Sequence, residues 1–388
     1  MSNATDPATA SAAGPDSGRV SGATRSTARR VAFYAPMKSP RHPVPSGDRE
    51  MARNLMSIIA AGGAGVDLVT ELKIFDKTGD AALQATLRDK AAFEAQRLIK
   101  EMPQMDLWVT YHNYYKAPDL IGPRVARARA IPYVQIESTR AARRLQGPWA
   151  GFAQSAHAAA DAAALIYYLT ANDLITLERD RYQDQTLVAL PPFLPITSLP
   201  KASTLAGPML TVGMMRAGDK LASYEIIADC LAALKGDWQL QIAGDGPARP
   251  EVEALMAPFG SRVTFLGQLS RDALAEIYSQ ASLFLWPGVN EAFGMVYLEA
   301  QSHGLPVVAQ DRPGLRDVLA PGLSAGHYPA PDLGATALST QIQKLLSEGE
   351  LRRHQGAQAR DMIAADHLAP AATQRFWDAV APLMKEIP

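Results

Sequence analysis

The fold is decided by the stretch VAFYA at residues 31–35 and, after a proline-bearing loop, DREMARNLMSIIAA at residues 48–61. The first run is β-branched or aromatic, as in a strand, and the second places Met51, Leu55 and Ile58 on one face of a helix. Short strand-like runs and longer helical patterns alternate in this way along the rest of the chain. This alternation is typical of βαβ units, so the sequence predicts an α/β fold with parallel sheets.

The strand-like runs form two groups, separated by a segment that contains prolines 191, 192, 195, 200 and 208 and no sustained periodicity. The first group comprises residues 31–35, 66–70, 107–112, 133–137, 165–170 and 187–190, and the second comprises residues 209–213, 239–243, 263–267, 283–286 and 307–309. We therefore predict two doubly wound domains, over residues 30–190 and 209–367, joined by a linker over residues 191–208. Residues 368–388 carry an apolar helical stripe that must dock on one of the domains.

Composition narrows the function class. The 388 residues carry a formal net charge of -1, which gives no general attraction to nucleic acid. The single cysteine, Cys230, excludes an intramolecular disulfide and a cysteine-built zinc site, so we expect a reducing, cytoplasmic location. Residues 1–29 are rich in Ala, Ser, Thr and Gly, and we predict that they form a disordered tail without a secretory signal. No apolar run is long enough to span a bilayer.

The strongest local motif is NEAFGMVYLEA at residues 290–300, directly after a strand-like run. Ligands bind beyond the carboxyl ends of strands in open parallel sheets. Gly294 would allow close approach to the backbone, and the N–H groups of the following helix would receive a diphosphate. Glu291 and Glu299 would accept hydrogen bonds from a sugar and a ribose. The alternative is a surface loop and an amphipathic helix with two solvated glutamates.

Two further loops are predicted at the same sheet edge. One contains Gly213 and Arg216, with Lys220 four residues later, and the other contains Gly244 in the turn GDGP. A guanidinium fork and an ammonium group suit a diphosphate that stays negative as a sugar leaves. Either cation alone is better explained as an exposed charge that caps a helix start. Three loops at one edge favour a binding site.

Together these residues resemble the retaining GT-B glycosyltransferases of family GT4, in which two Rossmann-like domains face a central cleft. The resemblance runs from about residue 31 to the C-terminus and is most specific between residues 210 and 332. It implies that Arg216 and Lys220 bind the donor diphosphate, Glu291 the donor sugar and Glu299 the ribose. Further donor contacts are implied for Gly47, Gly213, Gly244, Gly267, Phe293, Gly294 and Met295. The resemblance also implies that the last helix crosses back to the N-terminal domain.

Two polar residues at strand ends of the N-terminal domain are candidates for the reacting centre. His112 ends the run at residues 107–112 and would contact acceptor or sugar; a purely structural role is an equal alternative. Glu137 stands where many family members carry a histidine. It would either take over the polar contact near the anomeric carbon or orient an acceptor hydroxyl.

The resemblance implies transfer of a sugar with retention, from a nucleotide-sugar donor, with a UDP-sugar favoured, to a lipid or glycan acceptor. No Asp-x-Asp triplet occurs, and the resemblance is to a metal-independent family, so we expect neither a metal nor a cofactor. A GT-B nucleotide-sugar epimerase and a catalytically silent nucleotide-sugar-binding module remain alternatives. A dinucleotide dehydrogenase is disfavoured, because Gly62-Gly63-Ala64-Gly65 follows a helix and precedes a strand.

Arginines surround the strand-like run at residues 133–137, at positions 124, 127, 129, 140, 143 and 144. They predict a basic surface for an anionic membrane or a phosphorylated acceptor, reached by peripheral contact, with a solvated charged face as the alternative. Trp149 and Phe152 nearby would act either as an apolar anchor or as core.

Overall fold

The computed structural model describes residues 29–44, 46–291, 294–322 and 327–384. The predicted disordered tail, apart from Arg29, and the predicted donor residue Phe293 lie outside these ranges. The described chain contains two parallel sheets, each flanked by helices on both faces. The predicted α/β class is therefore confirmed.

The N-terminal sheet has six parallel strands in the order β2-β1-β3-β4-β5-β6. Its strands are β1 (Arg30–Tyr34), β2 (Gly65–Leu68), β3 (Leu107–Asn113), β4 (Tyr133–Ser138), β5 (Leu165–Tyr168) and β6 (Thr186–Ala189). The helices between them are α1 (Gly47–Ala61), α2 (Ala81–Glu101), α3 (Gly122–Arg129), α4 (Ala150–Ala162) and α5 (Ala171–Arg179). Alternate side chains of β1 enter opposite cores, Phe33 on the α1 face and Tyr34 on the α2 face.

The C-terminal sheet has five parallel strands in the order β11-β10-β7-β8-β9. Its strands are β7 (Met209–Val212), β8 (Leu240–Ala243), β9 (Val263–Gly267), β10 (Phe284–Leu285) and β11 (Val307–Val308). Its helices are α6 (Asp219–Ala233), α7 (Arg249–Met256), α8 (Arg271–Tyr278), α9 (Met295–Ser302), α10 (Gly334–Ser347) and α11 (Gly349–Asp366). Strand β10 is shorter than predicted, although the N–H of Trp286 still donates to the Val308 carbonyl at 3.0 Å. Pro287, which lacks an N–H, follows directly.

The last helix, α12 (Ala369–Val380), packs on the N-terminal domain. Phe376 stacks on Tyr167 with ring centroids 5.3 Å apart, and the Tyr167 hydroxyl donates to the Phe376 carbonyl at 2.5 Å. The Trp377 indole N–H donates to the Ile59 carbonyl of α1 at 3.3 Å. The chain thus returns from the C-terminal domain to bury its apolar stripe against the first. None of the helices in the described ranges combines the length and apolarity that crossing a membrane requires.

Contacts between residues that the structure describes join the two domains around the cleft. Arg271 of α8 forms an ion pair with Glu50 of α1, and Oδ2 of Asp317 accepts from the N–H of Ala171 at 3.0 Å. The side chain of Met295 packs against the cores of both domains. The carboxyl ends of both sheets therefore face one shared space.

Candidate functional site

A cavity of about 510 Å³ lies between the two domains at the carboxyl ends of their strands. The N-terminal domain lines it with Glu137, Thr170, Asn172 and Asp173, and the C-terminal domain with Val289, Asn290, Glu291, Arg312, Pro313, Gly314 and Pro331. All four residues of the N-terminal wall are polar, and the C-terminal wall adds Asn290, Glu291 and Arg312. Such an edge is where open parallel sheets bind ligands.

The predicted sugar residue Glu291 is held by the predicted phosphate residue Lys220. Lys220 lies in the first turn of α6, and its Nζ forms an ion pair with Oε1 of Glu291. The same oxygen accepts from the indole N–H of Trp286 at 3.0 Å, and Nζ of Lys220 lies 5.2 Å from the centroid of that ring. A donor diphosphate would compete with Glu291 for the ammonium group. Arg216 lies exposed in the loop after β7.

The predicted glycine loops of the C-terminal domain touch one another. Gly244 has φ of +140°, and a Cβ there would lie 2.0 Å from the Gly213 carbonyl oxygen, so no larger residue fits. The Gly244 N–H donates to the Gly267 carbonyl at 2.8 Å. Gly294, with φ of +45°, immediately precedes α9, whose first residue is Met295. These contacts bring the ends of β7, β8 and β9 together.

Glu299 lies in α9 and accepts a hydrogen bond from the Tyr278 hydroxyl at 3.3 Å. Burial raises the pKa of its carboxyl above the usual value, an effect that the Tyr278 hydrogen bond and the charge of Arg271 partly oppose. Glu299 is half-buried, and a carboxyl with one weak partner has capacity to accept hydrogen bonds from a polyol. Gly47, in the other domain, is the first residue of α1, and open space surrounds the position of a Cβ there.

His112 and Glu137 lie together at the ends of β3 and β4. Nε2 of His112 is 3.2 Å from Oε1 of Glu137, and both residues have left-handed backbones, with φ of 69° and 59°. Such conformations cost about 1 to 3 kcal/mol each and cluster at functional sites. Burial lowers the pKa of His112 to about 4 and raises that of Glu137 to about 8. Both groups are therefore uncharged at neutral pH.

The outer atoms of this pair lack hydrogen-bond partners. Nδ1 of His112 and Oε2 of Glu137 are buried, and neither has a partner in the part of the chain that the structure describes. With Glu137 protonated and His112 neutral, one proton is shared in the hydrogen bond between Nε2 and Oε1. Of the remaining atoms, Nδ1 and Oε2, one is then a donor and the other an acceptor. A hydroxyl group satisfies both kinds of atom. Buried polar atoms without hydrogen-bond partners destabilise the fold. A polar ligand that bonds to them would remove this cost.

Of the residues that line the cavity, only Glu137 and Glu291 were predicted as site residues, and the charged side chains of Arg312 and Asp173 were missed. Arg312 follows β11, and its Nη2 donates to Oε1 of Gln310 at 2.5 Å, while its buried Nε has no partner among the described residues. Its signal was a cation after a strand, the same signal that selected Arg216. Asp173 accepts from the Thr170 hydroxyl at 2.8 Å and caps α5. In the sequence, Thr170 and Asp173 have the spacing of a capping box, which indicates a helix start and not a binding site.

The predicted basic surface is wrong at Arg140. That side chain is 2% exposed, and its Nη1 lies 2.6 Å from Oδ1 of Asp161. An arginine at this depth needs an internal partner, so it serves the fold of the N-terminal domain. Arg124, Arg127, Arg143 and Arg144 are exposed, and Arg129 is half-buried. Phe152 is fully buried and belongs to the core, whereas Trp149 is half-buried.

In the part of the chain that the structure describes, side chains that could bind a metal ion do not cluster. Outside residues 1–28, 45, 292–293, 323–326 and 385–388, which the structure does not describe, no three His, Cys, Asp or Glu side chains group closely enough to hold a metal ion. The carboxyls of the cleft pair instead with Lys220, His112 and Thr170.

Residues 221–362 match the family of group 1 glycosyl transferases. This match lies within the C-terminal domain. The α-D-kanosaminyltransferase of Streptomyces kanamyceticus is 31% identical over 182 residues, which is 46% of this chain and 45% of that protein. The chain thus matches less than half the length of this curated relative.

The two-domain architecture is the GT-B fold of glycosyltransferases of known structure. Sucrose-phosphate synthase from Thermosynechococcus elongatus superimposes with a TM-score of 0.63 at 18% identity, covering 92% of this chain and 99% of that one. The Anabaena HepE protein in complex with UDP-glucose superimposes with a TM-score of 0.60 at 15% identity, covering 91% and 99%. At these identities the likeness concerns the fold.

Proposed function

We propose that this protein is a retaining glycosyltransferase that moves a sugar from a nucleotide-sugar donor to a lipid or glycan acceptor. One observation carries the proposal. Glu291, within the residues that match the family, lines the same cavity as Glu137 of the opposite domain. Lys220 forms an ion pair with Glu291. Donor-side and acceptor-side polar groups therefore face each other across one space.

In the proposed reaction the bond from the anomeric carbon to the diphosphate breaks, and the acceptor oxygen bonds to the same face of that carbon. The hydroxyl proton passes to a departing phosphate oxygen. Lys220, Arg216 and Arg312 would stabilise the leaving diphosphate, and Glu291 and Glu299 would hold the sugar and the ribose. We assign no metal to this step, because the cations of the cleft meet the same electrostatic need.

The donor is proposed to be a UDP-sugar. The resemblance of the glycine loops and of Glu291 and Glu299 to family GT4 supports this choice, as does the fold shared with a protein solved with UDP-glucose. Sequence similarity to a kanosaminyltransferase adds nucleotide-linked amino sugars to the donors worth testing. Transfer is proposed to take place in the cytoplasm, on acceptors that are free or displayed at the inner membrane face.

The test is a panel of UDP-, GDP- and ADP-sugars incubated with the full chain, with and without lipid or glycan extracts. Acceptor-dependent release of the nucleoside diphosphate, absent from Glu291→Gln, is the expected result. An epimerase would instead release an epimer of the donor sugar without any acceptor. A silent module would bind donors and turn over none. Either outcome would replace the proposal.

A further inference from the structure

The loop after β3 and the segment before α4 carry a group of side chains that the proposed site does not use. Tyr115 and Lys116 occupy the tip of a tight turn, closed by the N–H of Ala117 donating to the Tyr114 carbonyl at 2.9 Å. The turn places Tyr115 against Trp149, with ring centroids 5.7 Å apart and planes at 90°. We call Tyr115, Lys116, Arg144 and Trp149 the aromatic shelf.

Both cations of the shelf lie over the same two rings. Nζ of Lys116 is 5.6 Å from the Tyr115 centroid and 5.7 Å from the Trp149 centroid. Cζ of Arg144 is 4.9 Å and 5.0 Å from the same centroids. Cation–π attraction therefore holds both positive charges at the same pair of rings. Two positive charges at one pair of rings would attract an anion.

No carboxylate neutralises these charges in the described ranges. Neither Lys116 nor Arg144 has an Asp or Glu oxygen within 4.0 Å there. The nearby carboxylate of Asp76 faces inward, accepting from the Gln84 amide at 2.7 Å and from the Gly79 N–H at 2.9 Å. The Asp76 carbonyl accepts from the Trp149 indole N–H at 3.3 Å, which fixes the platform.

A series of side-chain contacts links the shelf to Glu137, which lines the cleft. The ring of Tyr114 lies 5.6 Å from that of Tyr115 and 6.1 Å from that of His112, which contacts Glu137. A small saccharide whose hydroxyl meets His112 and Glu137 would extend along Tyr114 to the shelf. The shelf also lies on the domain opposite the residues that match the family, where the acceptor is expected.

We propose that the aromatic shelf is an acceptor subsite that binds an anionic group, a phosphate ester or a carboxylate, on a sugar-like acceptor. This inference rests on the proposed function and adds the chemical class of the acceptor. Rings held edge to face give a fixed, half-buried corner, which suits one compact anion better than the broad surface of a membrane. Arginine and lysine together supply both a planar fork and a point charge.

The test measures binding and therefore does not depend on turnover. Calorimetry with the full chain, saturated with UDP to fill the donor site, compares glucose 6-phosphate, glucuronate and glucose. We expect the two anionic sugars to bind at least tenfold more tightly than glucose. The double variant Lys116→Gln/Arg144→Gln should remove that preference, with about a tenfold loss for each cation. Arg124→Gln/Arg127→Gln, which neutralises two exposed arginines of α3, is the matched control and should keep it.

Several outcomes would overturn the subsite. Equal affinity for glucose and its anionic analogues, or an unchanged preference in the double variant with a native unfolding transition, would do so. Binding only to vesicles of phosphatidylglycerol, lost in the double variant, would assign the shelf to a lipid surface. If the preference holds while no sugar is transferred, the proposed function fails and the anion site stands. If transfer occurs without the preference, only the subsite fails.

Discussion

Nε2 of His112 lies 3.2 Å from Oε1 of Glu137, and this contact joins two left-handed residues at the ends of adjacent strands. Neither residue is a glycine, so the backbone is strained at both positions. With this left-handed backbone, the two side chains meet at the sheet edge. Because burial keeps Glu137 protonated and His112 neutral, the pair offers hydrogen bonds without net charge.

The first prediction concerns the pH dependence of stability. Folded Glu137 keeps its proton up to about pH 8, whereas the unfolded chain releases it near 4.5, so its contribution is lost as pH rises between these values. Folded His112 resists protonation down to about pH 4 instead of 6.5, so its contribution is lost as pH falls. The two slopes oppose each other between 4.5 and 6.5, and Glu137 acts alone from 6.5 to 8.

Wild-type protein should therefore lose up to about 2 kcal/mol of unfolding free energy from this pair between pH 6.5 and 8. Glu137→Gln, which cannot ionise, should lose none over that interval and should instead weaken below pH 6.5. Urea unfolding at pH 5, 6.5 and 8 measures both effects, with Glu225→Gln on the exposed face of α6 as control. Parallel pH profiles for wild type and Glu137→Gln would contradict the assignment.

A second prediction is that Glu299→Ala weakens nucleotide binding at least tenfold without unfolding the protein. The carboxyl lies on α9, is half-buried and has the Tyr278 hydroxyl, at 3.3 Å, as a weak partner, so its remaining hydrogen-bonding capacity would serve the ribose of the proposed donor. Each hydrogen bond to a charged group contributes about 1.5 to 3 kcal/mol. Calorimetry with UDP and UDP-glucose makes the measurement. Tyr278→Phe, which leaves the carboxyl in place, should retain affinity; unchanged affinity in Glu299→Ala would remove the ribose role.

Third, transfer should survive chelation and should depend on Lys220. The Lys220 ammonium group is ion-paired with Glu291, and together with Arg216 and Arg312 it would supply positive charge to the diphosphate of the proposed donor. We expect full activity in EDTA. Lys220→Met should lose about ten- to a hundredfold in kcat/KM, the effect of one charge-assisted interaction. Loss of turnover in EDTA that manganese restores would show that a metal does this work.

Periodicity predicted the fold well, because both sheets are built from apolar runs separated by amphipathic helices. The strand runs at residues 31–35 and 133–137 became β1 and β4 within one residue at each end. The site was harder to predict. That Glu137 faces His112 depends on left-handed backbone at both residues, which only the packed sheet edge imposes. Arg312 entered the cavity because β11 ends beside β10, a strand order that residue spacing does not reveal.

The last prediction separates the arginines around β4 into two kinds. Arg140 is buried and paired with Asp161, so Arg140→Ser should destabilise the N-terminal domain by about 2 to 3 kcal/mol, somewhat less than a fully buried pair because Asp161 is partly exposed. The triple variant Arg124→Ser/Arg127→Ser/Arg143→Ser changes exposed side chains and should leave stability within about 0.5 kcal/mol. Urea unfolding distinguishes the two.

If these three arginines also dock on an anionic membrane, each contributes about 1 kcal/mol, and the triple variant should bind phosphatidylglycerol vesicles roughly a hundredfold more weakly at low salt. That difference should shrink at high salt, where charges are screened. Vesicle sedimentation in which wild-type protein stays in solution at low salt would identify them as a solvated face, and equal stability of Arg140→Ser and wild type would refute the structural role of Arg140.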